Sequence, residues 1–238
     1  MPETFHPNYE EAKVPPYNLP DPLRMEDGRE VKVAAMWHED RRCEILRLFE
    51  EHVYGRTPRD SLTLQFETRE VEDGALDGLA IRKQISIRLG DQANGRRLNL
   101  LVYLPRTSQP APVFLGLNFH GNHTIHPDPS IFVTPQWVSN IGALGVADHR
   151  AGEAGRGGMA KRWPVEAILT RGYGLATAYC GDLDPDFDDG FQNGVHPLFL
   201  RPGQPRPAMD EWGSIGAWAW GLSRTLDYLE TDSGVDVA

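Results

Sequence analysis

The hydrophobic pattern changes its period partway along the chain, and this change restricts the folds that are open to it. Between Ser61 and Leu104 apolar and polar residues alternate, which predicts an antiparallel meander with one buried face. The segments 112–119 and 172–180 are almost wholly apolar, as in strands covered on both faces. Helical patterns lie between these segments, in RWPVEAILTRG, and after them, from Trp212 to Asp232. The sequence therefore predicts an α/β fold with a mixed sheet, in which antiparallel strands come first and parallel strands with helices follow.

An arm and one amphipathic helix precede the meander. Residues 1–35 are rich in proline and lack periodicity, so we predict an extended N-terminal arm. A helical pattern with an apolar face runs from Met36 to Tyr54, and Gly55 ends it. We interpret residues 36–238 as part of a single α/β domain, with a glycine-rich loop insertion at about 139–162. Loops of this length often border a functional site.

Charge and cysteine content exclude several classes of partner. The chain has 24 Lys and Arg against 34 Asp and Glu, a formal charge of −10, so we expect no nucleic-acid or membrane partner. No apolar run approaches the roughly 18 residues that a membrane helix needs. The N-terminal residues lack the basic and then apolar order of a signal sequence, so no export signal is predicted in this chain. Cys43 and Cys180 are interpreted as two buried thiols.

The segment GLNFHGNHT, from Gly116 to Thr124, follows the first buried strand. Open α/β sheets bind their ligands at the carboxyl ends of such strands. The pair His120-Gly121 is similar to the oxyanion loop of lipases and esterases, where a glycine lets backbone N–H groups point at a developing negative charge. A tight turn that uses Gly121 and the hydrogen bonds of Asn118 and Asn122 is the alternative.

Two further patterns suggest metal sites, and neither is convincing. An HxxHxxH run has no neighbouring carboxylate, so we predict no metal there; it consists of His120, His123 and His126. The acidic run 180–191 imitates an EF-hand loop but lacks its glycine and its glutamate. Within that run, Asp182 directly follows a buried strand and is the residue best placed to order an active-site loop.

No serine stands in the setting of a catalytic nucleophile. The motif G-x-S-x-G is absent from the sequence, and Ser214 and Ser223 both belong to the last helical pattern rather than to a strand-to-helix turn. Cys180 has no obvious base nearby and is interpreted as a structural thiol.

Five segments, in order, cover nearly the whole chain and carry a family resemblance: YNLPDPL, HVYGRTP, GLNFHGNHT, RWPVEAILTRGYGLATAYCGDLDPD and EWGSIGAWAWGLSRTLDYLETD. Together they resemble the N-terminal portion of the bacterial glucuronoyl esterases, carbohydrate esterase family fifteen. The resemblance implies an α/β-hydrolase, incomplete at its C-terminus here, that uses a Ser–His–acid triad and no metal or organic cofactor. The implied reaction is cleavage of the ester between 4-O-methyl-glucuronic acid on xylan and lignin alcohols.

In that family the nucleophile elbow follows the tryptophan-rich helix and a short strand. The triad is therefore expected after Ala238, no catalytic residue is assigned within the chain, and the chain alone is expected to be inactive. The resemblance leaves six oxyanion or cleft-loop candidates: Asn118, His120, Gly121, Asn122, His123 and Asp182.

The expected partner is glucuronoxylan or a lignin–carbohydrate ester, bound by a monomer. Three alternatives stay open: an acetyl xylan esterase, a non-catalytic carbohydrate-binding fragment with Trp137 and Phe187 as platforms, and a different α/β-hydrolase with a displaced nucleophile. Family members are usually exported, whereas no signal sequence is predicted here, so the localisation stays undecided.

Overall fold

The computed structural model describes residues 7–59, 62–92 and 95–237 and contains a five-stranded mixed sheet. Its strand order is β1-β2-β3-β5-β4. Neighbours are antiparallel from β1 through β3 to β5, and β4 alone pairs in parallel, with β5. The strands are β1 (Leu64–Gly74), β2 (Ala80–Leu89), β3 (Arg97–Pro105), β4 (Val113–Asn118) and β5 (Gly174–Tyr179). The predicted α/β class with a mixed sheet is confirmed; Ser61, where the alternating pattern starts, lies outside the described residues.

The helices stand where the sequence predicts them. The helical segments are Ala34–Met36, a π-helical stretch Trp37–Arg41, α1 (Arg42–His52), a short turn Ala75–Gly78, α2 (Val165–Leu169) and α3 (Ser214–Leu229). Short 3-10 turns occupy Glu11–Lys13, Asn122–Thr124, Gly142–Leu144, Glu153–Gly155, Ala160–Arg162, Cys180–Asp182 and His196–Leu198. Within the described ranges, no helix is both long and apolar enough to cross a membrane.

The described residues up to Phe49 form one compact unit, and those from Glu50 onward form a second. In the first unit the guanidinium of Arg41 is buried and donates hydrogen bonds to the backbone oxygens of Pro22 (3.2 Å) and Asp21 (3.4 Å) and to Glu44 (2.9 Å). These bonds hold part of the N-terminal arm against its helix. The proposed boundary at residue 35 and the single domain over 36–238 stay predictions.

In the second unit the sheet separates two apolar layers. Side chains of β3 alternate between them: Leu100 and Val102 pack toward α3, while Leu101 and Tyr103 pack toward α2. Gly221 of α3 permits close packing, because a Cβ atom there would lie 2.2 Å from Leu183. The helix therefore packs tightly against the turn that follows β5.

Three burial expectations were wrong. Strands β2 and β3 are buried on most positions of both faces, not on one, because both apolar layers cover them. Strand β4 is only half-buried, with Phe114 56% exposed, because it lies at the edge of the sheet and not between neighbours. Cys43 is exposed, while Cys180 is buried as expected.

A buried ionic cluster ties β1 and β2 to the loop after β4. Arg82 donates to Glu70 (2.9 Å) and Asp128 (2.5 Å), and the Tyr103 hydroxyl donates to the same Asp128 oxygen (2.7 Å). Burial by itself would raise the pKa of Asp128, yet the hydrogen bonds from Tyr103, Ser130 and Arg82 lower it. Asp128 is therefore ionised at neutral pH and depends on Arg82 as its counter-ion.

We expect Arg82→Met to lower the free energy of unfolding by about 3 to 5 kcal/mol, because it leaves the buried Asp128 carboxylate without its cation. The matched control is Arg69→Met, which removes an exposed pair with Glu67 and should cost about 1 kcal/mol or less. Urea unfolding of both variants measures the difference, and equal losses would contradict the importance of the cluster.

Candidate functional site

The candidate site lies where β4 and β5 end. These strands are parallel, so their carboxyl ends meet at one edge of the sheet, and Asn118 is paired with Tyr179 there. Asn118 is the last residue of β4, and Asp182 closes the turn that follows β5. The fold therefore brings Asn118 and Asp182 to the same edge of the sheet, although they are 64 positions apart in the sequence.

A continuous chain of hydrogen bonds links these two positions; we call it the asparagine network (Asp182, Asn99, Asn122, Asn118 and Gly121). Asp182 Oδ2 accepts from the Asn99 backbone N–H (2.8 Å) and from its side-chain amide (3.0 Å). The Asn99 carbonyl accepts from Asn122 Nδ2 (2.9 Å), and Asn122 Oδ1 accepts from Asn118 Nδ2 (2.7 Å). Asn118 Oδ1 finally accepts from the Gly121 N–H (2.8 Å). The network joins β3, the turn after β5, and the end of β4 with the loop that follows it.

Asp182 stands at the head of the network and is 1% exposed. Burial raises the pKa of its carboxyl to about 7, against the two hydrogen bonds from Asn99, which lower it. Its second oxygen, Oδ1, is buried and has no partner in the described part of the chain. Asp182 therefore exchanges its proton near neutral pH, and one of its oxygens is free to bind a further donor.

Gly121 is fixed in a conformation that only glycine adopts easily. Its φ is +96°, and a Cβ atom would lie 2.8 Å from Thr134 Cγ2 and 2.9 Å from His123 Cε1. Its N–H is already used by Asn118, so this group does not point at an oxyanion in the structure. Gly121 therefore shapes the loop, and its N–H donates within the loop to Asn118 Oδ1.

The three histidines of the HxxHxxH run have separate surroundings. His126 Nε2 lies 2.9 Å from Glu166 Oε1, and His126 Nδ1 accepts from the Asp128 N–H (3.0 Å). Burial, then Arg156, lowers the pKa of His123 to about 4, and burial, then Arg162, lowers the pKa of His120. Over the residues that the structure describes, no three His, Cys, Asp or Glu side chains gather as metal ligands.

The glycine-rich segment lies directly against the loop after β4. The N–H of Gly157 donates to the His123 carbonyl (3.0 Å), and that of Met159 donates to the Thr124 carbonyl (2.8 Å). Gly155 approaches His123 so closely that a Cβ atom would lie 3.3 Å from Nε2. The segment therefore forms one side of the candidate site.

A cavity of about 500 Å³ opens beside the network. Its walls include the network residues Asp182, Asn99 and Asn122, together with Arg97, Phe132, Gln136 and Tyr179. Sequence reasoning missed Asn99, although asparagine is rare within strands and this one interrupts an apolar run, which is a usable signal. It also missed Thr177, whose hydroxyl binds Asn118 Nδ2 (3.1 Å).

No nucleophile is assembled at this edge. Over the described ranges no hydrogen bond joins a serine or cysteine side chain to a histidine ring; the Cys43 thiol bonds only to the backbone carbonyl of His38 (3.9 Å). Ser223 lies exposed on α3, with its hydroxyl 3.4 Å from the Ala219 carbonyl. Burial raises the pKa of Cys180 to about 12, so its thiol stays protonated. The asparagine network holds the loop after β4 through hydrogen bonds among the described residues.

A second buried pair joins Asp184, in the acidic run after β5, to His196. His196 Nδ1 is 3.3 Å from Asp184 Oδ1, and both side chains are buried. The His196 ring packs against Trp212 and Phe191, and Trp218 Nε1 donates to the Asp184 carbonyl (2.9 Å). These contacts secure the ends of the acidic loop rather than form a reactive site.

Comparison with known proteins gives a consistent result. The carbohydrate esterase MZ0003, from an unknown prokaryotic organism, is 46% identical over 230 residues. A promiscuous CE15 esterase from a marine bacterial metagenome is 46% identical with a TM-score of 0.85, and a glucuronoyl esterase from Solibacter usitatus is 45% identical with a TM-score of 0.87. The chain belongs to carbohydrate esterase family 15. A scan against family models finds none that matches.

The matches cover almost all of this family 15 chain but only part of each relative. They span 95 to 96% of the chain, and 53% of MZ0003 or 57% of either solved structure. The chain thus spans about half the length of the relatives it matches. The family resemblance predicted from the sequence is confirmed.

Asp182 gives this site a pH dependence with a defined sign. Folding raises the carboxyl pKa from an ordinary 3.8 to about 7, so the folded state binds the proton more tightly. Its contribution to stability is therefore fully present below about pH 4 and is lost as the pH rises toward 7. We expect Asp182→Asn to resemble the parent near pH 4.5 and to be more stable than it at pH 8, as measured by urea unfolding.

The control for this comparison is Asp148→Asn, the same substitution at an exposed carboxyl, recorded over the same pH range. Parallel profiles for the parent and Asp182→Asn would show that Asp182 does not titrate in this window.

Proposed function

We propose that this chain is the part of a serine carboxylic-ester hydrolase that shapes the cleft around a glucuronoyl ester of plant cell-wall polysaccharide. The single observation that carries the proposal is the asparagine network, which fixes the loop after β4 at the ligand-binding edge of the sheet. The 45% identity to a glucuronoyl esterase from Solibacter usitatus supports the choice of ester.

The proposed reaction is acyl transfer. A serine attacks the uronate carbonyl, a histidine removes the serine proton and then protonates the leaving alcohol, and an acid orients that histidine. Water then releases the uronate from the enzyme. We propose that these three groups come from residues other than the 238 of this chain, and that the chain by itself does not turn over esters.

The described residues contribute position rather than chemistry. Donors that stabilise an oxyanion must be held in place before the reaction, since reorganising them would consume the stabilisation that they provide. The asparagine network holds the loop from Asn118 to Asn122 by side chains that are buried and bonded at both ends. His120 and His123 are neutral at pH 7 because their pKa values are lowered, so they add no charge to the cleft.

A chimera tests the proposal. The chain replaces the 230-residue region of carbohydrate esterase MZ0003 with which it aligns, so that the relative supplies the remaining residues. We expect the chimera to hydrolyse the methyl ester of 4-O-methyl-glucuronate, and a serine-directed reagent to abolish the activity. Asn118→Ala in the chimera should lower kcat by roughly tenfold or more, because the loop loses one of its fixed ends.

One control variant and three decisive outcomes complete the assay. Ser223 lies on the exposed face of α3, so Ser223→Ala should leave the rate of ester hydrolysis unchanged. Hydrolysis of acetylated xylan in preference to the uronate ester would replace the glucuronoyl specificity with the acetyl alternative. A folded but inactive chimera, or serine-type turnover by the 238-residue chain alone, would overturn the proposal.

A further inference from the structure

A second cavity, of about 400 Å³, lies next to the one that Asp182 lines. The two share Pro135 and Gln136 as a common wall. Its volume falls in the range of about 300 to 1,000 Å³ that is typical of small-molecule sites. Neither the asparagine network nor the proposed acyl transfer uses the remaining residues of this second cavity.

Three aromatic rings that pack against one another form one part of its wall. The ring of Trp137 lies nearly parallel to that of His149, with centroids 4.8 Å apart and an interplanar angle of 15°. The centroid of the Phe187 ring lies 4.4 Å from that of Trp137, and these two rings are tilted by 36°. The Tyr179 hydroxyl donates to the Trp137 carbonyl (2.6 Å), which ties the stack to β5. Phe187 is 41% exposed, so apolar ring surface remains open to a ligand.

Two arginines line the same cavity, and neither pairs with a carboxylate of the described residues. Arg96 is half-buried, and its guanidinium makes neither an ion pair nor a hydrogen bond with any residue that the structure describes. Burial lowers the pKa of Arg96, although Asp182, Asp184 and Asp189 raise it from a distance. The Arg150 guanidinium donates one hydrogen bond, to the Pro135 carbonyl (2.8 Å). Its other N–H groups have no hydrogen-bond partner over the described ranges.

The backbone that carries Arg150 is strained. Asp148 and His149 both have positive φ, 49° and 58°, a conformation that costs non-glycine residues about 1 to 3 kcal/mol each. The loop is kept in this conformation by the bond from the His149 N–H to Asn140 Oδ1 (2.8 Å) and by the bridge between Trp137 and Arg150. Strain of this kind persists where the surroundings fix it and is typical of ligand-binding loops.

We infer that this cavity binds the carboxylate of an acidic sugar, with Arg96 and Arg150 on the carboxylate and the sugar ring against the Trp137–Phe187 stack. A guanidinium matches a carboxylate by paired hydrogen bonds, and an aromatic ring covers the apolar C–H face of a pyranose. The choice of a sugar acid rests on the proposed function, whereas binding of a carboxylate rests on the arginines alone. The site would hold a second acidic unit of the same polysaccharide beside the ester.

Glucuronate titration of the 238-residue chain, followed by ligand-observed NMR, tests the inference. We expect saturable binding of sodium glucuronate and at least tenfold weaker binding of glucose, which lacks the carboxylate. Arg96→Gln and Arg150→Gln should each weaken glucuronate binding about tenfold, while Arg171→Gln should not. Arg171 is the matched control for Arg150, because it also donates one bond to a backbone carbonyl, that of Ala167 (2.7 Å), and lies outside the cavity.

Asp148→Asn provides a readout of opposite sign. It removes the carboxylate that lines the cavity, and asparagine tolerates positive φ, so glucuronate should bind several-fold more tightly. Equal affinity for glucose and glucuronate, or unchanged binding in the thermally intact arginine variants, would overturn the inference. Glucuronate binding together with an inactive chimera would keep this site and reject the proposed reaction.

Discussion

The bonds from Asn99 to the buried carboxyl of Asp182 are the contact on which the candidate site depends. They join the start of β3 to the turn after β5, and through Asn122 they extend to the loop after β4. A buried polar chain of this kind stabilises one arrangement only when every link is satisfied, because an unpaired member costs about 1 to 3 kcal/mol. Asp182 Oδ1 is buried and has no hydrogen-bond partner among the residues that the structure describes.

Much of the fold could be predicted because the hydrophobic period reports burial directly. Strand β5 is buried at all six positions, as its largely apolar sequence indicates, and α3 occupies the predicted tryptophan-rich segment. The failure at β4 has a physical cause: its sequence is as apolar as that of β5, but an edge position leaves Phe114 in solvent. Sequence periodicity identifies a strand without fixing its neighbours.

The site was predictable only in part for a similar reason. Asn118, Gly121 and Asn122 are close in sequence, so local motif reasoning brings them together, whereas their link to Asp182 passes through Asn99 on another strand. The second cavity depends on two distant loops that meet at Trp137 and Phe187, a contact that no local pattern reports. Both features follow from tertiary pairing of segments rather than from residue spacing.

Native-state hydrogen exchange of the Gly121 amide measures the central claim most directly. In Asn122→Ala, the Asn118 side chain loses the acceptor that orients it, so protection of Gly121 should fall about tenfold, or about 1.4 kcal/mol, relative to the Ala176 amide within β5. Asn140→Ala, which alters an asparagine outside the network, should leave that ratio unchanged. An unaltered Gly121 to Ala176 ratio in Asn122→Ala would contradict the claim that the network fixes this loop.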